Sequence, residues 1–177
     1  MRSARNDLVM SVFPYARGVA YVVFEDPNSP VDWGICDPHG DRKKHQAIRI
    51  IAALVDRYSP GALVLRDRVG IRRGRNRRHA ALVEALETLA RQKGISIARL
   101  SREQVRQSFS SLELPTRYAI VQAIAKKVPI FETYVPPVRK IWKAEDRRMG
   151  MFDAAALALT FYRMQNANDP MSAVAGS

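Results

Sequence analysis

Seven arginines fall within thirteen residues of this 177-residue chain: Arg66, Arg68, Arg72, Arg73, Arg75, Arg77 and Arg78. A guanidinium keeps its charge at any cellular pH and is costly to bury alone. Seven of them with one acid, Asp67, repel each other strongly unless a polyanion lies against them. Nucleic acid supplies closely spaced phosphates and is the first candidate partner. Arg17, Lys140 and Lys143 extend the basic set, and Tyr15, Tyr134 and Trp142 offer aromatic faces for unstacked bases. The same aromatics could equally pack irregular segments. Cys36 and His39 stand three apart, but neither His45 nor His79 forms a second close pair with another ligand type, so zinc is disfavoured.

The whole chain carries Lys+Arg 29 against Asp+Glu 17, a formal charge of +12. A membrane surface would attract the same charge, yet no apolar run approaches the roughly 18–20 residues of a spanning helix. Arg2 and Arg5 precede only a short apolar stretch, Leu8 to Phe13, before Pro14 and Arg17, which does not read as a secretion signal. One cysteine cannot form an internal disulfide. A cytoplasmic protein with no membrane partner is expected. With 47% hydrophobic residues the length suits one core, so a single domain over 1–165 and a disordered tail over 166–177 are expected.

The elements that must position these residues follow from periodicity. Leu8 to Phe13 and Val19 to Phe24 are β-branched apolar runs joined by a Pro/Gly turn, and Val31 to Cys36 follows another turn, giving an antiparallel meander. Asp41 to Tyr58 spaces Ile48, Ile51, Ala52 and Val55 as a helix. Ala62 to Leu65 is a short buried strand, and His79 to Lys93 an amphipathic helix ended by Gly94. Ile95 to Leu100 is a fifth strand, Ser101 and Gln104 form a capping-box pattern, Thr116 caps a helix running to Lys127, and Glu145 to Tyr162 is the last helix. Later strands separated by helices need right-handed crossovers and run parallel, which predicts the first strand beside the fourth in an α/β sheet.

Three segments on these elements carry a resemblance: Val12-Phe13-Pro14-Tyr15-Ala16-Arg17-Gly18-Val19-Ala20-Tyr21, Leu63-Val64-Leu65-Arg66-Asp67, and Met151-Phe152-Asp153-Ala154-Ala155-Ala156-Leu157-Ala158. Over roughly Leu8 to Tyr162 the chain resembles RuvC-type Holliday junction resolvases of the ribonuclease H-like superfamily. The resemblance implies a mixed five-stranded sheet of order 3-2-1-4-5 flanked by helices. It also implies a nuclease with two divalent ions held by carboxylates at the ends of strands one and four and on the last helix. At the matching positions this chain has Phe13 for an aspartate, Arg66 for a glutamate, and Asp153 followed by Ala156 for the Asp-x-x-Asp pair. One of the four acids is present.

Two roles are open to Arg66: a solvated charge paired with Asp67, or a guanidinium standing where a metal would sit and neutralising Asp153. Asp153 itself could equally serve the helix dipole. Asp146 precedes Asp153 by seven residues, two turns if the helix is continuous, so a relocated catalytic site of Asp67, Asp146 and Asp153 is conceivable, with Asp153 the metal ligand. The expected function is binding of branched or structured DNA in recombination, with nuclease activity impaired or lost and no cofactor. The alternatives are a junction endonuclease using Mg²⁺ or Mn²⁺, and a protein-interaction or homodimerisation module acting through the helix from His79 to Lys93. The DNA contacts expected are Arg17, Arg68, Arg72, Arg73, Arg75, Arg77, Arg78, Lys140 and Lys143.

Overall fold

The computed structural model describes residues 7–15, 17–40, 42–67, 77–140 and 142–168. Strands β1 (Val9–Pro14), β2 (Val19–Asp26) and β3 (Ser29–Cys36) form the meander, and α1 (Lys43–Tyr58) leads to β4 (Ala62–Arg66). Then come α2 (Arg77–Gln92), β5 (Ser96–Leu100), α3 (Arg102–Ser108), α4 (Arg117–Lys127), a 3-10 turn over Pro129–Tyr134, and α5 (Arg148–Asn168). The sheet order is β3-β2-β1-β4-β5, with β1–β4 and β4–β5 parallel and the meander antiparallel. This is the mixed 3-2-1-4-5 sheet that the resemblance implied, with β1 beside β4 as the element order predicted.

Alternation along β1 and β4 divides the core in two. Met10, Val12, Leu63 and Leu65 face α1 and α2, where Ile51, Val55, Leu82 and Leu86 are buried. Val9, Phe13, Ala62 and Val64 face the other layer, which contains α5. That helix is buried from Gly150 to Thr160 except at Asp153, and its alanines let it lie close against the sheet centre. Ser11, fully buried on the same face as Phe13, donates its hydroxyl to the Ala154 carbonyl at 2.6 Å and so fixes α5 against β1. At the helix starts, Ser101 and Gln104 complete the capping box and Thr116 Oγ1 accepts from Ala119 N at 3.1 Å.

The last helix departs from the sequence expectation at both ends. It starts at Arg148 because Asp146 Oδ1 accepts from the Arg148 backbone N–H at 2.9 Å and caps the first turn from outside. It runs to Asn168, six residues beyond the expected end at Tyr162, and 169–177 lie outside the described residues. Among the described residues no helix is long and apolar enough to cross a membrane.

Candidate nucleic-acid interface

Parallel pairing sends the C-terminal ends of β1, β4 and β5 to one edge of the sheet. The β1–β4 register matches Val12 with Leu65, so one step on Phe13 and Arg66 are neighbours. The Arg66 guanidinium lies over the Phe13 ring, 5.7 Å from its centroid. Phe13 is buried and Arg66 half-buried. Burial lowers the Arg66 pKa from its ordinary value; the charge of Asp153 opposes this, and those of Arg102 and Arg117 add to it. Arg102 reaches the same edge because α3 opens two residues after β5 ends.

Asp153 lies in the second turn of α5, its side chain 19% exposed. Arg117, the first residue of α4, grips it with both arms of its guanidinium: Nε donates to Oδ1 at 3.0 Å and the second nitrogen to Oδ2. The remaining Arg117 nitrogen donates to Glu145. The direct cation on Asp153 is therefore Arg117, while Arg66 and Arg102 act on it through their fields. Burial pushes the Asp153 carboxyl above the usual range, against the pull of these three arginines. The edge thus holds three guanidinium groups, Arg66, Arg102 and Arg117, and two carboxylates, Asp153 and Glu145, both bound by Arg117.

The other acids go elsewhere. Asp146 is held by Arg148, whose Nε and second nitrogen donate at 2.9 and 2.6 Å, and Arg148 chiefly holds its carboxyl low. Because it precedes the helix, its seven-residue spacing from Asp153 does not place the two on one helical face. The Asp67 backbone N–H donates to Leu100 O at 2.8 Å, continuing the β4–β5 ladder. Its side chain keeps the parity of Leu63 and Leu65, and its charge acts on Arg99, which binds Glu87 of α2 at 2.6 and 2.8 Å. Asp37, just past β3, accepts from the Tyr15 hydroxyl and from Arg147 at 2.7 Å. Burial pushes that carboxyl up, but these two donors outweigh it and hold it below the usual range.

Two divalent ions need several hard oxygen ligands converging on them. The four positions at which the resemblance implies acids present a phenyl ring, a guanidinium, a carboxylate already bound by Arg117, and the Ala156 methyl, which is buried in the core. Among the described residues no group of three or more His, Cys, Asp or Glu could hold a metal ion. This donor set does not fit a two-metal centre.

Of the expected basic contacts, Arg17 is exposed beside the β1–β2 turn, and Lys140 and Lys143 are exposed between the 3-10 turn and α5. Arg68, Arg72, Arg73 and Arg75 lie outside the described residues. Arg77 and Arg78 open α2, their side chains also outside them. The aromatics separate: Tyr15 turns inward to Asp37 and lies beside Gly150, Tyr134 sets its ring edge-on to Trp33 at 6.1 Å, and Trp142 is 78% exposed.

Against solved structures the chain matches Thermus thermophilus RuvC in complex with a Holliday junction substrate, with TM-score 0.68, 12% identity, and 89% of this chain and 96% of that one covered. The fold is that of RuvC. A second structure, Thermus thermophilus RuvC, matches at TM-score 0.62 with 14% identity over 89% and 96% of the two chains. The fowlpox virus Holliday junction resolvase matches at 0.51 with 12% identity over 89% and 99%. No protein-family model and no curated protein sequence matches.

On this RuvC-like fold Phe13 and Arg66 are neighbours, as parallel strands one and four lead one to expect, and Arg66 acts on Asp153 through its field, but Arg117, Arg102 and Glu145 were not foreseen as partners. Arg102 carried a usable signal, since parallel β4 and β5 must deliver their next residues to one edge. Arg117 carried none, because local pattern does not say where α4 packs.

Proposed function

We propose that this chain binds branched or structured DNA through the arginine-bearing edge of its RuvC-like sheet, with metal-dependent cleavage impaired or lost. The observation that carries the reading is the side-by-side placement of Arg66 and Phe13, with Asp153 held by Arg117, where a two-metal nuclease would need acids. Arg66, Arg102 and Arg117 outnumber the two carboxylates beside them, Asp153 and Glu145, which leaves a net positive edge suited to phosphate oxygens. The formal charge of +12 and the arginine run from Arg66 to Arg78 add long-range attraction to a polyanion. Of the solved neighbours named above, one is Thermus thermophilus RuvC in complex with a Holliday junction substrate, which makes a four-way junction the first ligand to try. The setting is the cytoplasm, in DNA recombination.

The test is a four-way junction titrated with the protein in EDTA and then in Mg²⁺ or Mn²⁺. Binding without divalent ions and no nicking is expected. Strong divalent-dependent nicking, abolished by Asp153→Ala, would favour a relocated endonuclease site instead. No binding at any salt concentration would remove the DNA reading.

A further inference from the structure

The segment between the 3-10 turn and α5 carries an indole that the core does not use. Trp142 is 78% exposed, and the Lys140 ammonium stands 5.7 Å from the centroid of its ring. Single exposed apolar residues are ordinary, so exposure alone says little. What distinguishes this one is its mounting. The Lys143 N–H donates to Lys140 O at 3.0 Å and Arg139 Nε donates to Lys143 O at 2.7 Å, so the tip is a closed turn with three cations on it. Upstream, Pro136 is buried and its carbonyl accepts from Tyr118 at 3.3 Å. Downstream, Glu145 binds Arg117, the residue that grips Asp153. The indole is thus held on a braced tip three residues from the arginine edge.

We infer that Trp142 is a stacking finger for an unpaired base whose adjoining phosphates are met by Lys140, Lys143 and Arg139. The inference rests on the DNA-binding reading and adds to it the feature recognised. Every base has a π-face, so stacking on an indole is tolerant of sequence, whereas a base inside a continuous duplex has no free face to offer. The local cations select a polyanion over an apolar partner, and a tip already closed by hydrogen bonds loses little freedom on binding. Branch points, gaps and single strands are where such bases occur.

The test compares the full chain with its Trp142→Ala and Trp142→Phe variants on two DNA probes of equal length, a continuous duplex and a duplex with a three-nucleotide gap. Trp142→Ala should weaken gapped-DNA binding about 10-fold and leave duplex binding unchanged, and Trp142→Phe should keep most of the preference. Emission should be quenched by gapped DNA in the wild type and little affected in Trp142→Ala, which retains Trp33 as its sole indole. Equal affinities of wild type and Trp142→Ala for gapped DNA, with salt-sensitive duplex binding intact, would overturn the finger and leave the DNA reading standing. Failure to bind gapped DNA while a four-way junction is still bound would overturn the finger alone, and failure to bind any of the three would remove both. A blue shift of Trp142 on phosphatidylserine vesicles without quenching by DNA would also overturn it, in favour of a lipid surface.

Discussion

Arg66 and Phe13 share the boundary between two parallel strands, guanidinium over ring at 5.7 Å, on the face of the sheet that α5 covers. Neither side chain can ligate a hard divalent ion, and a fixed cation beside Asp153 disfavours one. The variant Phe13→Asp, Arg66→Glu, Ala156→Asp should therefore gain Mn²⁺ binding by calorimetry that the wild type lacks. Ala156 is only 3% exposed, so Ala156→Asp alone should cost about 2 kcal/mol or more by burying an unpartnered carboxyl. Mn²⁺ should raise the melting temperature of the triple variant and not that of Ala156→Asp. A triple variant that folds and shows no metal-linked stabilisation would mean these positions do not form a metal cradle.

Arg117 and Asp153 should behave as a coupled pair. Arg117→Ala strands a largely buried carboxylate and is expected to cost about 1–3 kcal/mol, less whatever solvent screening its partly exposed partner already provides. Asp153→Asn should cost less, and the double variant should lie near Asp153→Asn in urea unfolding. Because burial raises the Asp153 pKa, the ionised form is the disfavoured one in the folded protein, so Arg117→Ala should regain stability as pH falls toward that raised value. Strict additivity of the two substitutions would show that the pair is not formed.

Asp37 gives a pH signature of opposite sign. Its folded pKa is depressed, so its contribution is present above the unfolded value of about 3.9 and is lost as pH falls through the lower folded value. Asp37→Asn should destabilise by about 1 kcal/mol at pH 7, and the gap from wild type should close below about pH 4. A gap unchanged between pH 7 and pH 3, read from denaturant midpoints, would exclude the Tyr15 and Arg147 contacts as its source.

Salt should report on the arginine run. If about five of its side chains each meet a phosphate, junction affinity should fall about 500-fold between about 50 and 200 mM salt. Replacing Arg72, Arg73, Arg75, Arg77 and Arg78 with alanine should flatten that slope. An unchanged slope would move the contact surface elsewhere.

The sheet was legible because each strand is a short apolar run bounded by turn residues, and right-handed crossovers leave few ways to order five of them. Phe13 beside Arg66 followed from the same logic, since register between parallel strands carries side chains to a common edge. The start of α5 was not legible. Glu145, Asp146 and Arg147 read as helix by composition, but the Asp146 side chain captures the Arg148 N–H and ends the irregular segment there. The partner of Asp153 was hidden for a different reason. Arg117 stands 36 residues away in sequence, and only the packing of α4 and α5 brings it near.

A divalent ion at a strand edge exchanges with the surrounding solution, so its charge rises and falls with the free metal concentration and vanishes on chelation. Arg66, Arg102 and Arg117 are part of the polypeptide, and their charge is set once, at translation. The charge of these three side chains is thus independent of free magnesium, and it is removed only by mutation or by covalent modification of the arginines.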